Sequence, residues 1–236
     1  MKVFVGTSGW LYGWNKGKSL EWYLQRKTFN VIELNTSFYR FPSPNNIAEW
    51  GEEGKKIAWI PKVNQLITHR FKFSRKSYSR FSDFLDLFSP IERQVHFYLF
   101  QIPPIITPNL LDRIINFADR FGISKKFALE ARNLSWFDPK VYERLAAAGI
   151  TMVSTDSPLG SFIMKSSDNV YLRIHGRKEW YNYNYSKREL SELAIKITKL
   201  KPKNSYVLFN NDHNMLSNGE AMLKIMKKEA RKSLPA

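Results

Sequence analysis

The feature that most restricts the fold of this chain is a repeated switch between two hydrophobic periods. Short β-type runs alternate with stretches whose apolar residues recur at helical spacing. The β-type runs cover residues 2–6, 31–34, 57–63, 95–101, 127–132, 150–155, 170–175 and 205–209. Between them lie helical patterns with clear punctuation. Ser43-Pro44 and Asp138-Pro139 place proline at a first helical position, and Gly122 and Gly149 stand where helices end. Ser186 followed by Glu189 reads as a capping box ahead of Leu190, Leu193 and Ile197.

Alternation of this kind predicts an α/β protein with a parallel sheet. Eight such units predict a single (β/α)8 TIM-type barrel over residues 1–236, one domain without a linker or repeat. One unit is defective. Residues 157–169 leave too little chain for a helix and two turns, so the helix between strands six and seven is expected to be missing or very short. Residues 69–80, rich in cations and aromatics, read as a basic loop or lid, and residues 82–88 as the helix that follows.

Barrels of this type carry their sites at the C-terminal ends of the strands. Here those ends are polar while the strand starts are apolar. In order they offer Glu33 and Asn35, Lys62 and Asn64, Gln101, Glu130 and Arg132, Asp156, Arg173 and His175, then Asn210, Asn211 and Asp212. Several are i, i+2 pairs, which point to one side of a strand. Glu130 and Arg132 form the centre of this set, because the strand ends on opposite charges and then feeds Trp136 and the next helix. A closed structural ion-pair network accounts for the same residues equally well.

Charge bears on the partner. Lys and Arg total 37 against 21 Asp and Glu, a net charge of +16. That excess suits an anionic small molecule or single-stranded nucleic acid; a Lys-rich surface without a partner is the alternative. Two segments interleave cations with rings: Arg70 to Arg80 with Phe71, Phe73 and Tyr78, and Arg177 to Arg188 with Trp180, Tyr181, Tyr183 and Tyr185. Rings of this kind can stack on bases or pack on the fold. The basic last helix reads as a solvated face. The absence of cysteine excludes disulfides and thiolate chemistry. No apolar run approaches the roughly 20 residues of a membrane span. The opening MKVFVGTSGW meets glycine too soon for a signal peptide. A cytoplasmic protein with no membrane association is expected.

The motifs GTSGW, ELNTSFYRFP, ITH, FQIPP, LEARNLSWF, YLRIHG and FNND occur in that order between Gly6 and Asp212. Together they resemble the DUF72 (YecE-like) family over nearly the whole chain. The resemblance implies a TIM-barrel fold and marks Thr7, Ser8, Trp10, Glu33, Tyr39, Lys62, His69, Gln101, Glu130, Arg132, Trp136, Arg173, His175 and Asn210 as family positions. It implies no reaction, because the family's function is unassigned. Ala131 replaces the phenylalanine usual between the paired charges, and the chain after Asp212 departs from the expected Gly- and Ala-rich ending.

These observations lead to an enzyme reading, a hydrolase acting on an anionic, phosphate-bearing substrate. Glu130, His175 and Glu33 are the candidate acid/base groups. Arg132, Arg173, Lys62, Trp10, Tyr39, Asn35, Gln101, Trp136, His69 and Asn210 are the candidate substrate contacts. The alternatives are a non-catalytic module for single-stranded nucleic acid and a sugar hydrolase using Glu33 and Glu130 as two carboxylates. No cofactor is indicated. A metal drawing on His69, His175, Asp156, Glu130 and Asp212 lacks any supporting ligand spacing, so no metal ligand is assigned.

Overall fold

The structure, a computed structural model, describes residues 1–232. The chain divides into two compact units. The first comprises Met1–Ile32 and the chain from Val153 onward, the second Glu33–Met152. The first unit begins with β1 (Lys2–Thr7), α1 (Leu20–Gln25) and the start of β2 (Val31–Leu34). The second holds α2 (Thr36–Tyr39), α3 (Pro44–Glu53), β3 (Ala58–Pro61), α4 (Tyr78–Phe88), β4 (Tyr98–Gln101), α5 (Leu111–Arg120), β5 (Phe127–Glu130), α6 (Pro139–Ala147) and β6 (Thr151–Met152). The chain then re-enters the first unit as β7 (Ser154–Ser157), β8 (Gly160–Phe162), β9 (Asn169–Ile174), α7 (Lys187–Lys199), β10 (Asn204–Phe209) and α8 (Met215–Lys232).

In the first unit β2, β1, β10, β9 and β7 are neighbours in that order, all parallel. β1 runs against β10 from Lys2↔Asn204 to Thr7↔Phe209, and β10 against β9 from Asn204↔Asn169 to Phe209↔Ile174. Gly6 permits the close approach of β1 to β2, since a Cβ there would fall 1.7 Å from the Val31 carbonyl oxygen. The short sixth unit has no helix. Its chain turns at Gly160 and returns as β8, antiparallel to β7, pairing Thr155 with Phe162 and Ser157 with Gly160. α7 and α8 form as their patterns predict, and the capping box at Ser186 and Glu189 is present in full.

In the second unit β4, β5 and β6 form a parallel sheet, with Gln101 opposite Glu130 and Leu129 opposite Met152. β3 lies beside the Glu33–Leu34 half of β2, where the Lys62 amide donates to the Leu34 carbonyl at 3.2 Å. It meets the β4 strand only through the isolated parallel bridges Trp59↔Val95 and Lys62↔Leu99. The core is aromatic. Phe73, Phe81, Phe84, Phe88, Phe100, Phe117 and Phe127 are fully buried, and Phe100 stacks on Phe127 at 3.8 Å.

Three expectations need correction. The strands are hydrogen-bonded as a seven-stranded and a three-stranded sheet, not as one closed ring of eight. The ladder lapses to single bridges between β3 and β4. The sixth β-type run also breaks at Val153, so β6 pairs with β5 and β7 with β9. Second, residues 69–80 do not form an open lid. A π-helical turn (Leu66–Arg70) runs into them, a 3-10 turn (Arg75–Ser77) follows, and α4 begins at Tyr78, earlier than its period suggests. Third, the apolar spacing of Leu20, Tyr23 and Leu24 predicts a helix over residues 20–28, but α1 stops at Gln25, and Lys27 takes a positive φ of 52°. Among the described residues no helix is long and apolar enough to cross a membrane.

Candidate functional site

In the second unit the polar residues sit at consecutive parallel strand ends. Glu33, in β2, has no exposed surface. The chain after β2 turns at once into α2, which puts Phe38 beside the residues that follow β3. Ser37 Oγ lies 2.7 Å from the carbonyl oxygens of both Leu34 and Lys62 and ties the two strand ends together. Lys62 is buried, with its Nζ 4.1 Å from the Phe38 ring centroid, a cation–π contact. His69 meets the same ring edge-on at 5.2 Å, and its Nδ1 lies 2.8 Å from Thr68 Oγ1. Burial and then the Lys62 ammonium hold the His69 imidazole below the usual histidine range. Asn64 is structural: its amide donates to the Ser37 carbonyl and accepts from the Leu66 N–H.

Glu130 closes β5. It is fully buried, and its Oε1 lies 2.9 Å from Arg132 Nη2, whose side chain keeps 10% of its surface exposed. Gln101, its register partner on β4, is half-buried and donates to the Ile102 carbonyl at 3.2 Å. Asn35 is half-buried, and its Oδ1 is enclosed without a hydrogen-bond partner. Two expected contacts sit differently. Trp136 is wholly buried and donates from Nε1 to the Ile106 carbonyl at 2.8 Å, a core position. Tyr39, at the end of α2, is 71% exposed.

In the first unit Arg173 and His175 lie at the end of β9, both without exposed surface. The His175 N–H donates to the Asp156 carbonyl at 2.8 Å, and its own carbonyl accepts from the Tyr181 N–H at 2.7 Å. Trp180 and Tyr181 cover the imidazole, with ring centroids at 5.3 and 5.7 Å. Asn210 Nδ2 lies 3.4 Å from His175 Nδ1, and Asn210 Oδ1 accepts from Ser8 Oγ at 2.8 Å. Trp10 is buried and Asn15 binds its carbonyl. Gly176 allows the turn after β9: its φ is 108°, and a Cβ would meet the Glu179 carbonyl oxygen at 2.4 Å.

Sequence reasoning missed several partners. Arg177, read as a loop cation, is tied down. Its Nε lies 3.0 Å from buried Asp156 and its Nη1 3.2 Å from Glu189. Tyr185 packs inside and accepts from the Gly176 N–H at 3.0 Å, and burial followed by the Asp156 charge raises its pKa. Asn211 is structural, binding the Tyr183 carbonyl and Asn218. Phe38 carried no sequence signal beyond its place in a motif, and Tyr12, two residues past GTSGW, carried none. Among the described residues no group of three or more His, Asp or Glu side chains is disposed around a common metal position.

Residues 4–235 match the family described as "Protein of unknown function DUF72". The chain belongs to the DUF72 family. Like it, the UPF0759 protein YunF of Bacillus subtilis (strain 168) is similar along its whole length: 24% identical, over 95% of this chain and 94% of YunF. A DUF72 protein of Thermotoga maritima MSB8 has the same fold, with a TM-score of 0.78 and 25% identity over 97% of this chain and 99% of that one. More distantly, D-psicose 3-epimerase from Clostridium cellulolyticum H10 shares the fold alone, with a TM-score of 0.55 and 12% identity over 99% and 98% of the two chains. The DUF72 fold is thus TIM-barrel-like.

Proposed function

We propose that this DUF72 protein is an enzyme acting by acid/base chemistry on an anionic, phosphate-bearing substrate, with Glu130 as the group that moves the proton. The observation that carries this reading is the Glu130–Arg132 pair: a fully buried carboxylate 2.9 Å from Nη2 of an arginine whose side chain keeps 10% of its surface exposed. A buried carboxylate needs such a partner, since losing it costs on the order of 3–5 kcal/mol. A guanidinium can hold a phosphate by two hydrogen bonds, which is the role proposed for Arg132. Lys62 supplies a second cation in the same unit, and the enclosed Asn35 Oδ1 supplies an acceptor for a substrate hydroxyl.

Phosphoester hydrolysis fits these groups. Glu130 takes a proton from water, the water oxygen bonds to phosphorus, the bond to the leaving alkoxide breaks, and the proton passes to that alkoxide. Arg173 is proposed as a further anion-holding guanidinium and His175 as a proton-handling group, at the end of β9. We also propose that the architecture is of (β/α)8 type with its hydrogen-bond ladder interrupted between β3 and β4 and at Val153, supported by the parallel β/α alternation and the TIM-barrel-like relatives. A chain without cysteine supports a cytoplasmic setting.

The test is Glu130→Gln, which keeps shape and hydrogen bonding but cannot titrate. Against a panel of phosphomonoesters, phosphodiesters and nucleotides, wild-type protein should release product. The variant should bind the same compound and lose turnover by about 10²-fold or more. Turnover that survives the substitution sinks the assignment of Glu130.

The second reading, a module for single-stranded nucleic acid, has its support in Tyr181, 44% exposed, with Trp180 beside it in a loop carrying Arg177 and Lys178. Its other support is weaker than the sequence suggested, because Phe73 is core. A labelled oligonucleotide titrated at two salt concentrations separates the readings. Salt-sensitive binding that Arg132→Ala does not weaken belongs to outer cations, such as the groove lined by Lys224, Lys227, Lys228, Arg231 and Lys232.

A further inference from the structure

Three motifs are joined by a row of contacts that ends at one imidazole. Ser8 comes from GTSGW at the end of β1, His175 from YLRIHG at the end of β9, and Asn210 from FNND at the end of β10. These strands are neighbours in the order β1, β10, β9, so the three side chains stand in a row on adjacent strand ends. We propose that Asn210 is a positioning residue that sets His175 in the tautomer protonated on Nε2, and that Ser8 sets the Asn210 amide.

The argument starts at the hydroxyl. Ser8 is buried, and its Oγ has three neighbours: Asn210 Oδ1 at 2.8 Å, Tyr12 Oη at 3.1 Å and Met215 Sδ at 3.6 Å. A hydroxyl has one proton to give. The amide oxygen is the strongest acceptor of the three, and 2.8 Å is the usual length of an O–H···O bond. Tyr12 can donate in turn to Ser8 Oγ or to the Ser8 carbonyl, 3.3 Å away. In this arrangement every hydroxyl proton has an oxygen acceptor. Turning the amide over moves the Ser8 proton from the 2.8 Å contact to the tyrosine oxygen at 3.1 Å or to a thioether, a weak acceptor, so the shorter bond favours the amide oxygen facing Ser8.

With its oxygen taken by Ser8, Asn210 presents its nitrogen to His175 Nδ1 at 3.4 Å. An amide nitrogen only donates, so Nδ1 is the acceptor and the neutral ring carries its proton on Nε2. The contact is at the long end for a hydrogen bond, so the amide biases the ring rather than locking it. Ring orientation is set independently. The main chain of His175 is fixed on both sides by Asp156 and Tyr181, and Trp180 and Tyr181 pack against the imidazole.

The Nε2–H tautomer deepens the proposed role of His175 as a proton-handling group and rests on that reading for its use: the neutral ring carries its one proton on Nε2. The tautomer itself does not depend on any substrate.

The experiment is nitrogen NMR of protein labelled at histidine, recorded at a pH where the free imidazole is neutral. The chain has four histidines, and His175→Gln identifies the signals of His175. Wild-type protein should show Nδ1 unprotonated and Nε2 protonated. In Asn210→Asp the carboxylate accepts, so the pattern should invert. In Ser8→Ala the amide is released, so the pattern should move toward a mixture. Circular dichroism confirms that each variant is folded. A wild-type signal with the proton on Nδ1, or on both nitrogens, overturns the proposal, and so does a folded Asn210→Asp with the wild-type pattern. If Asn210→Asp does not fold, the wild-type spectrum decides alone. Because no turnover is read, a failed Glu130→Gln test leaves this result standing, and the reverse also holds.

Discussion

His69 is held below its ordinary pKa of 6.5, first by burial and then by the ammonium of Lys62. The sign of its effect on stability follows. Below about pH 6.5 the unfolded chain takes up a proton that the folded chain refuses, so the unfolded state binds more protons and stability decreases as the pH is lowered. The contribution is complete above the unfolded pKa and is lost as pH falls from there through the folded pKa. His69→Gln should therefore flatten the urea midpoint's dependence on pH between about pH 7.5 and pH 5. An unchanged slope would show that His69 titrates as it does in the unfolded chain. The identity of the neighbour was not legible. Lys62 reads as a strand-end residue and His69 as the start of the basic loop, but nothing local says that the Phe38 ring lies against both.

At the scale of elements, what a helix is and what it packs against are separate questions. The ends of α6 and α7 could be read directly, because a cap is a local hydrogen bond. Asp138 accepts from the Lys140 N–H, and Ser186 and Glu189 satisfy each other's backbone. The segment before α4 could not be read this way. Its alternating cations and rings look like a polyanion loop, yet Phe73 packs on Phe100, Phe117 and Phe127, distant in sequence. Phe81 of α4 is the centre of that core, touching Phe84, Tyr98, Phe100, Phe117 and Phe121. Phe81→Ala should cost about 3–5 kcal/mol, since it removes a ring from a packed core. Ser186→Ala, which loses only a cap, should cost about 1 kcal/mol. Urea denaturation of both variants checks the contrast, and equal costs would mean that the aromatic cluster relaxes around the gap.

For the whole molecule we propose that the two units fold as one domain. Both ends of the second unit join the first, and β2 belongs to the first through Val31 and Ile32 and to the second through Glu33 and Leu34. Trp10, Trp14, Trp22 and Trp180 lie in one unit, and Trp50, Trp59 and Trp136 in the other. Variants that keep one set of tryptophans should unfold in urea at the same midpoint; separated midpoints would mean two domains. The sequence by itself determined the alternation of strands and helices, the missing sixth helix, the polar strand ends and the family. Each of these is written in local periodicity, in punctuation by Pro, Gly and caps, or in motif order. Only the tertiary structure decided which strands share a ladder, that the sixth run splits at Val153, that Trp136 and Phe73 are core, and that Asn210 stands between Ser8 and His175. These depend on the pairing of residues far apart in the chain, and hydrogen-bond geometry and side-chain packing at such contacts leave no local pattern to read.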